Sequence, residues 1–168
     1  MKKKNKKIVI LGIDPGLATT GYALLEKEAK KLNVLDFGVI KTSSSLNFPE
    51  RIKEIFQKTQ KLIKKYSPQI LVIEKVFFCK NVKTAIKIGQ VQGIFFLLAA
   101  QKKIPLYQFT PLQVKQVITS YGKADKKQLQ KMIKILLNLK EIPKPNDAAD
   151  ALATAYCFLQ NKFREKGT

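Results

Sequence analysis

Four carboxylates stand apart from the other acids of this 168-residue chain, which holds only 12 in all. Asp14 ends the apolar run IVILGID and Glu74 ends a second, ILVIE, so each acid sits where a buried strand would stop. Asp147 and Asp150 lie three apart in PNDAADALATAY, a spacing that puts both on one helix face, with alanines around them as a smooth packing wall. If the two strands are parallel neighbours, their axes run about 4.8 Å apart and the two strand-end acids share one space. Taken singly, each acid has an ordinary explanation. Asp-Pro-Gly is a turn former, and acids in a first helical turn stabilise the helix dipole by about 0.3–1 kcal/mol each. Brought together, one pair at ~4 Å repels by about 4 kcal/mol at an effective dielectric near 20, which protons or cations must relieve. The chain has no histidine, and Cys79 and Cys157 lack metal-ligand spacing. The donors are therefore oxygens and the implied cation is hard, Mg2+ with Mn2+ as a substitute. A metal pair held by carboxylates is a device for in-line attack of water on a phosphodiester.

The charge balance points to the same substrate. Lys+Arg number 32 against 12 acids, a net +20, and such an excess implies a polyanionic partner, with nucleic acid as the default. An anionic membrane surface is the runner-up, but no stretch approaches the roughly 20 apolar residues of a spanning helix. Of the basic residues only Arg51 and Arg164 are arginine, so lysine point charges on phosphates dominate over bidentate base reading. The basic start MKKKNKK leads into an apolar run that stops at Asp14, too short for a signal peptide, and a cytoplasmic location is expected. The two cysteines read as small buried hydrophobes in a reducing compartment. A His/Cys zinc site and histidine acid–base chemistry are excluded.

The elements that must position these acids follow from periodicity. Residues 6–14, 19–27 and 33–42 read as strands, the last two joined by a hairpin at KEAKK. Residues 49–66 carry a helical apolar stripe, broken at Ser67-Pro68 before the strand QILVIE. Residues 82–101 read as a helix that turns apolar nearly all round, so its far end belongs in the core or in a partner chain; Gly89 and Gly93 would let another backbone approach. IPLYQF is a short strand, and TPLQVKQVITS a helix with Thr110 as N-cap and Pro111 at its first position. Helices over 125–138, capped by Asp125, and 146–163 complete the chain. Glu26, Glu28, Glu50, Glu54, Glu141 and Glu165 read as surface residues, and Asp36 as pointing outward from a half-exposed strand. The order β-β-β-α-β-α-β followed by helices describes an α/β fold whose hairpin leads into parallel crossover units. Ligands in such sheets sit beyond the carboxyl ends of the strands, where Asp14 and Glu74 both lie. We expect one domain over residues 8–163, a flexible basic tail at 1–7, and a short tail at 164–168.

Four motifs, GIDPGLATTGYA, IEKVFFCKN, GKADKKQ and PNDAADALATA, resemble in order and spacing those of the RuvC family of Holliday-junction resolvases, over roughly Ile8 to Phe163. The resemblance implies a ribonuclease-H-like mixed five-stranded sheet flanked by helices, a homodimer, and Mg2+-dependent paired nicking of opposed strands at a four-way DNA junction. It implies that Asp14, Glu74, Asp147 and Asp150 are the catalytic set, with two ions in each site. Phe77 becomes an aromatic that stacks at the crossover, with Phe78 beside it. Lys115 and Lys126 lie near the scissile phosphate, Lys126 stabilising charge in the transition state. Lys80, Lys123 and Lys127 are further expected DNA contacts. The long apolar helix becomes part of the dimer interface, and a RuvA-RuvB branch-migration complex becomes a partner. One departure stands out: the family usually has arginine in the context G-Q-x-R-G, where this chain has Gln92 in GQVQG. Without the resemblance two other readings stay open. One is a phosphotransferase of the actin and hexokinase type, which needs a second such domain. The other is a non-catalytic DNA-binding module with structural acids.

Overall fold

IVILGID forms the middle strand β1 (Ile8–Asp14), buried along its length except at its two ends. The polypeptide, a computed structural model, is described over residues 7–75 and 82–164. β2 (Thr19–Glu28) returns antiparallel to β1, and β3 (Lys31–Lys41) follows through a tight turn in which Ala29 takes a φ of 51°. α1 (Phe48–Tyr66) crosses over to β4 (Ile70–Glu74), parallel to β1, and α2 (Val82–Lys102) leads to β5 (Leu106–Phe109), parallel to β4. The chain ends in α3 (Pro111–Thr119), α4 (Lys126–Leu136) and α5 (Asn146–Arg164). The sheet order is β3-β2-β1-β4-β5, a mixed five-stranded α/β sheet.

Side chains alternate across the strands and build two cores. Val9, Leu11, Ile13, Leu71 and Ile73 face α1 and α2, burying Ile55, Ile63, Phe95 and Leu98. Ile10 and Val72 face the other way, against α3, α4 and the alanine wall of α5. Asp14 and Glu74 keep the even-numbered parity and so point toward α5. Three helix starts are fixed by capping boxes: Asn47 with Glu50, Thr110 with Gln113 and Asp125 with Gln128. Thr110, Pro111 and Asp125 thus play the parts that their sequence context predicts.

Several expectations need correction. Glu26 is not a surface residue: it is buried on β2, paired with Lys7 at 2.6 Å and accepting from Asn33. Lys7, the first of the described residues, reaches that carboxylate, and the described part of the chain ends with Arg164 in α5. Asp36 does not simply face outward but is half-buried and accepts a 2.7 Å hydrogen bond from the Tyr66 hydroxyl of α1. The helix α2, 21 residues long, is apolar enough by composition to cross a membrane, against the expectation that nothing in the chain approaches this. Its inner face packs into the core through Val91, Ile94, Phe95, Leu98 and Ala99, which accounts for its apolar character. Its far end is buried on one side only, since Phe96 and Leu97 are exposed.

Candidate metal centre

Asp14 and Glu74 end adjacent parallel strands, with Ile13 opposite Ile73 in the register, so the two carboxylates stand side by side. Asp14 is also paired across the antiparallel ladder with Gly21 of β2. The chain leaves β1 through Pro15 and Gly16, and the turn is tied by the Thr20 hydroxyl, which donates to the Gly16 carbonyl at 2.6 Å. That hydroxyl is fully buried, so the turn beyond Asp14 is held from below and the acid stays at its mouth.

Two glycines let α5 carry its aspartates to this place. A Cβ on Gly12 would collide with the Ala151 carbonyl and lie 2.7 Å from Ala155 Cβ, and a Cβ on Gly21 would collide with the Asp147 carbonyl. The helix backbone therefore lies directly on β1 and β2, its first turn beside Asp14. The i, i+3 spacing then presents Asp147 and Asp150 to the same side.

The electrostatics record this convergence. Burial, and then the charges of Glu74, Asp150 and Asp147, push the Asp14 carboxyl up to about 8, with Lys126 pulling it back. Burial and the Asp150 charge raise Glu74 to about 7, opposed by Lys126 and Lys115. Asp150 is raised too, by burial and by Asp147, against Lys126. Among the described residues no three Asp, Glu or Cys side chains stand close enough to clasp a cation as they are. The four carboxyls share one field without closing on one point, and protons or a cation relieve the repulsion that full ionisation would bring. An all-oxygen donor set under this strain fits a hard divalent cation.

Two lysines frame the acids. Lys126, the first residue of α4, reaches Asp150 with its Nζ 3.6 Å from Oδ2. Lys115 of α3 and Lys126 line, with Glu74, Asp150, Pro111, Val114 and Leu129, a cleft of about 170 Å³. A larger cleft of about 640 Å³ lies at the opposite end of the sheet among Lys61, Lys64, Lys102 and Pro68, and no acid lines it. The chemistry belongs to the smaller cleft, where the titratable groups converge. Lys123 and Lys127 are exposed nearby, in the turn before α4 and on its first turn, outside the cleft lining. Phe77, Phe78 and Lys80 lie outside the described residues. Sequence reasoning missed the structural part of Gln92, whose side-chain amide donates to the Glu74 carbonyl at 2.8 Å. It also missed the seating of α5 on Gly12 and Gly21. The two glycines, Gly12 inside IVILGID and Gly21 inside TTGYALL, were the available signal, since a glycine within a strand marks a close backbone approach.

Comparisons with known proteins agree with this fold. The family model for crossover junction endodeoxyribonuclease RuvC matches residues 10–158. The RuvC of Halothermothrix orenii is 50% identical over 165 residues, covering 95% of this chain and all of that one. The RuvC of Thermosipho melanesiensis is 51% identical over 149 residues, 89% of this chain and 95% of its own length. Among solved structures, Thermus thermophilus RuvC in complex with a Holliday junction substrate superposes with a TM-score of 0.88 at 31% identity, over 94% of this chain and 96% of that one.

Proposed function

Since the chain belongs to the RuvC family of crossover junction endodeoxyribonucleases, with a ribonuclease-H-like fold, we propose that it resolves four-way DNA junctions by paired nicking of opposed strands. The family is one of metal-dependent nucleases. For this chain the cation is Mg2+, with Mn2+ as a substitute and two ions per site, held by Asp14, Glu74, Asp147 and Asp150. The observation that carries the reading is the convergence of these four acids in one field, walled by lysines, at the carboxyl end of the sheet. When bound, such cations supply a water nucleophile at neutral pH and stabilise the charge on the leaving oxygen of an in-line displacement.

The chain's own residues do the rest. Asp14 and Glu74, on rigid strand ends, fix one side of the site, and α5 brings Asp147 and Asp150 to the other. Lys126 is aimed at the same centre and neutralises charge that develops on the phosphate during reaction. Lys115 holds a phosphate from the opposite wall of the cleft, with Lys123 and Lys127 contacting the backbone farther out. Phe77, with Phe78 beside it, stacks on bases at the crossover, and Lys80 adds a phosphate contact, roles that rest on the motif resemblance. A homodimer places two such sites on equivalent strands of a two-fold junction. The outer face of α2 supports this: Val82, Ile86, Phe96 and Leu97 are exposed, and nothing stands within 4 Å of a Cβ on Gly89 or Gly93. The RuvA-RuvB branch-migration complex is the implied cellular partner, and the cytoplasm the place of action.

The test is Asp14→Asn on a synthetic four-way junction with Mg2+. Loss of one ligand removes several kcal/mol of transition-state stabilisation, so cleavage falls about 10³-fold or more while junction affinity is kept. A variant that cuts at the wild-type rate overturns the metal-centre assignment. Parallel reactions on linear duplex and on an RNA–DNA hybrid measure the preference for the junction.

A further inference from the structure

β4 ends with a backbone acceptor that its sheet neighbours leave without a donor. Lys75 donates to the Phe109 carbonyl on the β5 side at 2.8 Å. The N–H and C=O of one trans peptide point opposite ways, so the Glu74 carbonyl, which shares that peptide with Lys75, faces β1. Ile13 stands opposite Ile73, so one step on Asp14 stands opposite Glu74, and the donor due to this carbonyl is the N–H of residue 15. Residue 15 is proline and has none.

The missing donor comes from α2. Gln92 Nε2 lies 2.8 Å from the Glu74 carbonyl oxygen, on a side chain only 7% exposed. Its neighbours Val91 and Phe95 are fully buried, so the amide is delivered from a fixed part of the helix. A carbonyl accepts only, which places the NH2 end of the amide on it. The Asp-Pro-Gly turn that opens the mouth of the site thus removes a ladder bond beside one carboxylate, and a glutamine on the far side of the sheet restores it.

We propose that Gln92 is a positioning residue for the reaction: by holding the last peptide of β4 it sets where the Glu74 carboxylate stands among the other acids. The proposal rests on the metal-nuclease reading of the site. Gln92 touches the Glu74 backbone and not its carboxylate, so it acts through Glu74. Outer partners of metal-binding side chains are worth about 10- to 100-fold in metal affinity or activity. Arginine, a donor of greater reach, satisfies the same carbonyl.

The experiment compares Gln92→Met, close in size and without a donor, with Gln92→Arg in the full chain. Mg2+ alone is titrated against the melting temperature, kcat is measured on a junction at saturating Mg2+, and junction affinity is measured in EDTA. For Gln92→Met we expect junction affinity close to wild type and a metal-free melting temperature lower by a few degrees, since the carbonyl loses its donor. The Mg2+ midpoint should rise about 10-fold or more and kcat should fall by a similar factor. Gln92→Arg should recover most of both. Gln92→Leu replaces the methionine variant should that one not fold. The proposal is overturned if the donor-less variant titrates and cuts like wild type, if it only loses thermal stability, or if arginine recovers nothing. If wild type shows no Mg2+-dependent rise in melting temperature and Asp14→Asn cuts normally, the metal-centre reading fails and takes this proposal with it. If wild type behaves as a metal nuclease and Gln92→Met matches it, only the role of Gln92 falls.

Discussion

Asp14 is held protonated up to about 8 by burial and by the charges of Glu74, Asp150 and Asp147, and Glu74 up to about 7 by burial and the charge of Asp150. A carboxyl whose pKa is raised on folding binds more protons folded than unfolded across the interval between its two values, so stability falls as pH rises there. The interval here runs from about 4 to about 8. We expect the metal-free protein to lose about 1–3 kcal/mol of stability per pH unit in the middle of that range, because the folded state keeps protons that the unfolded chain sheds. Mg2+ should flatten the slope, because cations replace the protons, and its apparent affinity should climb over the same range. Urea melts from pH 5 to pH 8.5, in EDTA and in Mg2+, measure both. A pH-independent metal-free stability would show that these acids do not share one field. Gln92 shows what is hard to see at this scale from sequence: a buried amide in GQVQG looks like a lost arginine until its carbonyl partner is known.

At the scale of elements, the decisive contact is α5 on β1 and β2. The order of elements, the caps at Thr110 and Asp125, and the parallel crossover to β4 were legible because they are written in local periodicity and turn chemistry. Strand ends moved by at most two residues, as expected where pairing rather than propensity decides the limit. The seating of the helix was not legible, since it depends on which face of which strand a distant alanine stretch meets. Gly21→Ala tests it directly. The added methyl runs into the Asp147 carbonyl and must displace the first turn of α5, costing about 1–3 kcal/mol. We expect a lower melting temperature and a larger proportional loss of cleavage than of stability, because Asp147 and Asp150 move away from Asp14. Equal activity to wild type would mean that the helix start tolerates displacement without effect on the site.

For the whole molecule, a net charge of +20 favours any polyanion, and selection of a junction must come from shape. In the proposed reading a two-fold dimer supplies that shape, and the exposed outer side of α2 is the face offered for it. Leu97 is 52% exposed and Ile86 57% exposed, so glutamate at both should leave the protomer folded while halving the mass seen by analytical ultracentrifugation. Junction cleavage should then lose its paired character. An unchanged mass would move the interface elsewhere.

By itself the sequence determined which residue types could act: oxygen donors without histidine, lysines without arginine forks, and two acids at the ends of apolar strands. Those facts follow from composition and from local pattern, which each segment carries alone. Only the tertiary structure decided that Glu74 stands beside Asp14 rather than elsewhere along the sheet edge. It alone decided that α5 reaches them over two glycines, and that Gln92 replaces a donor which Pro15 cannot provide. Each of these is a contact between segments far apart in the chain, fixed by register and close packing, and no single stretch of sequence contains it.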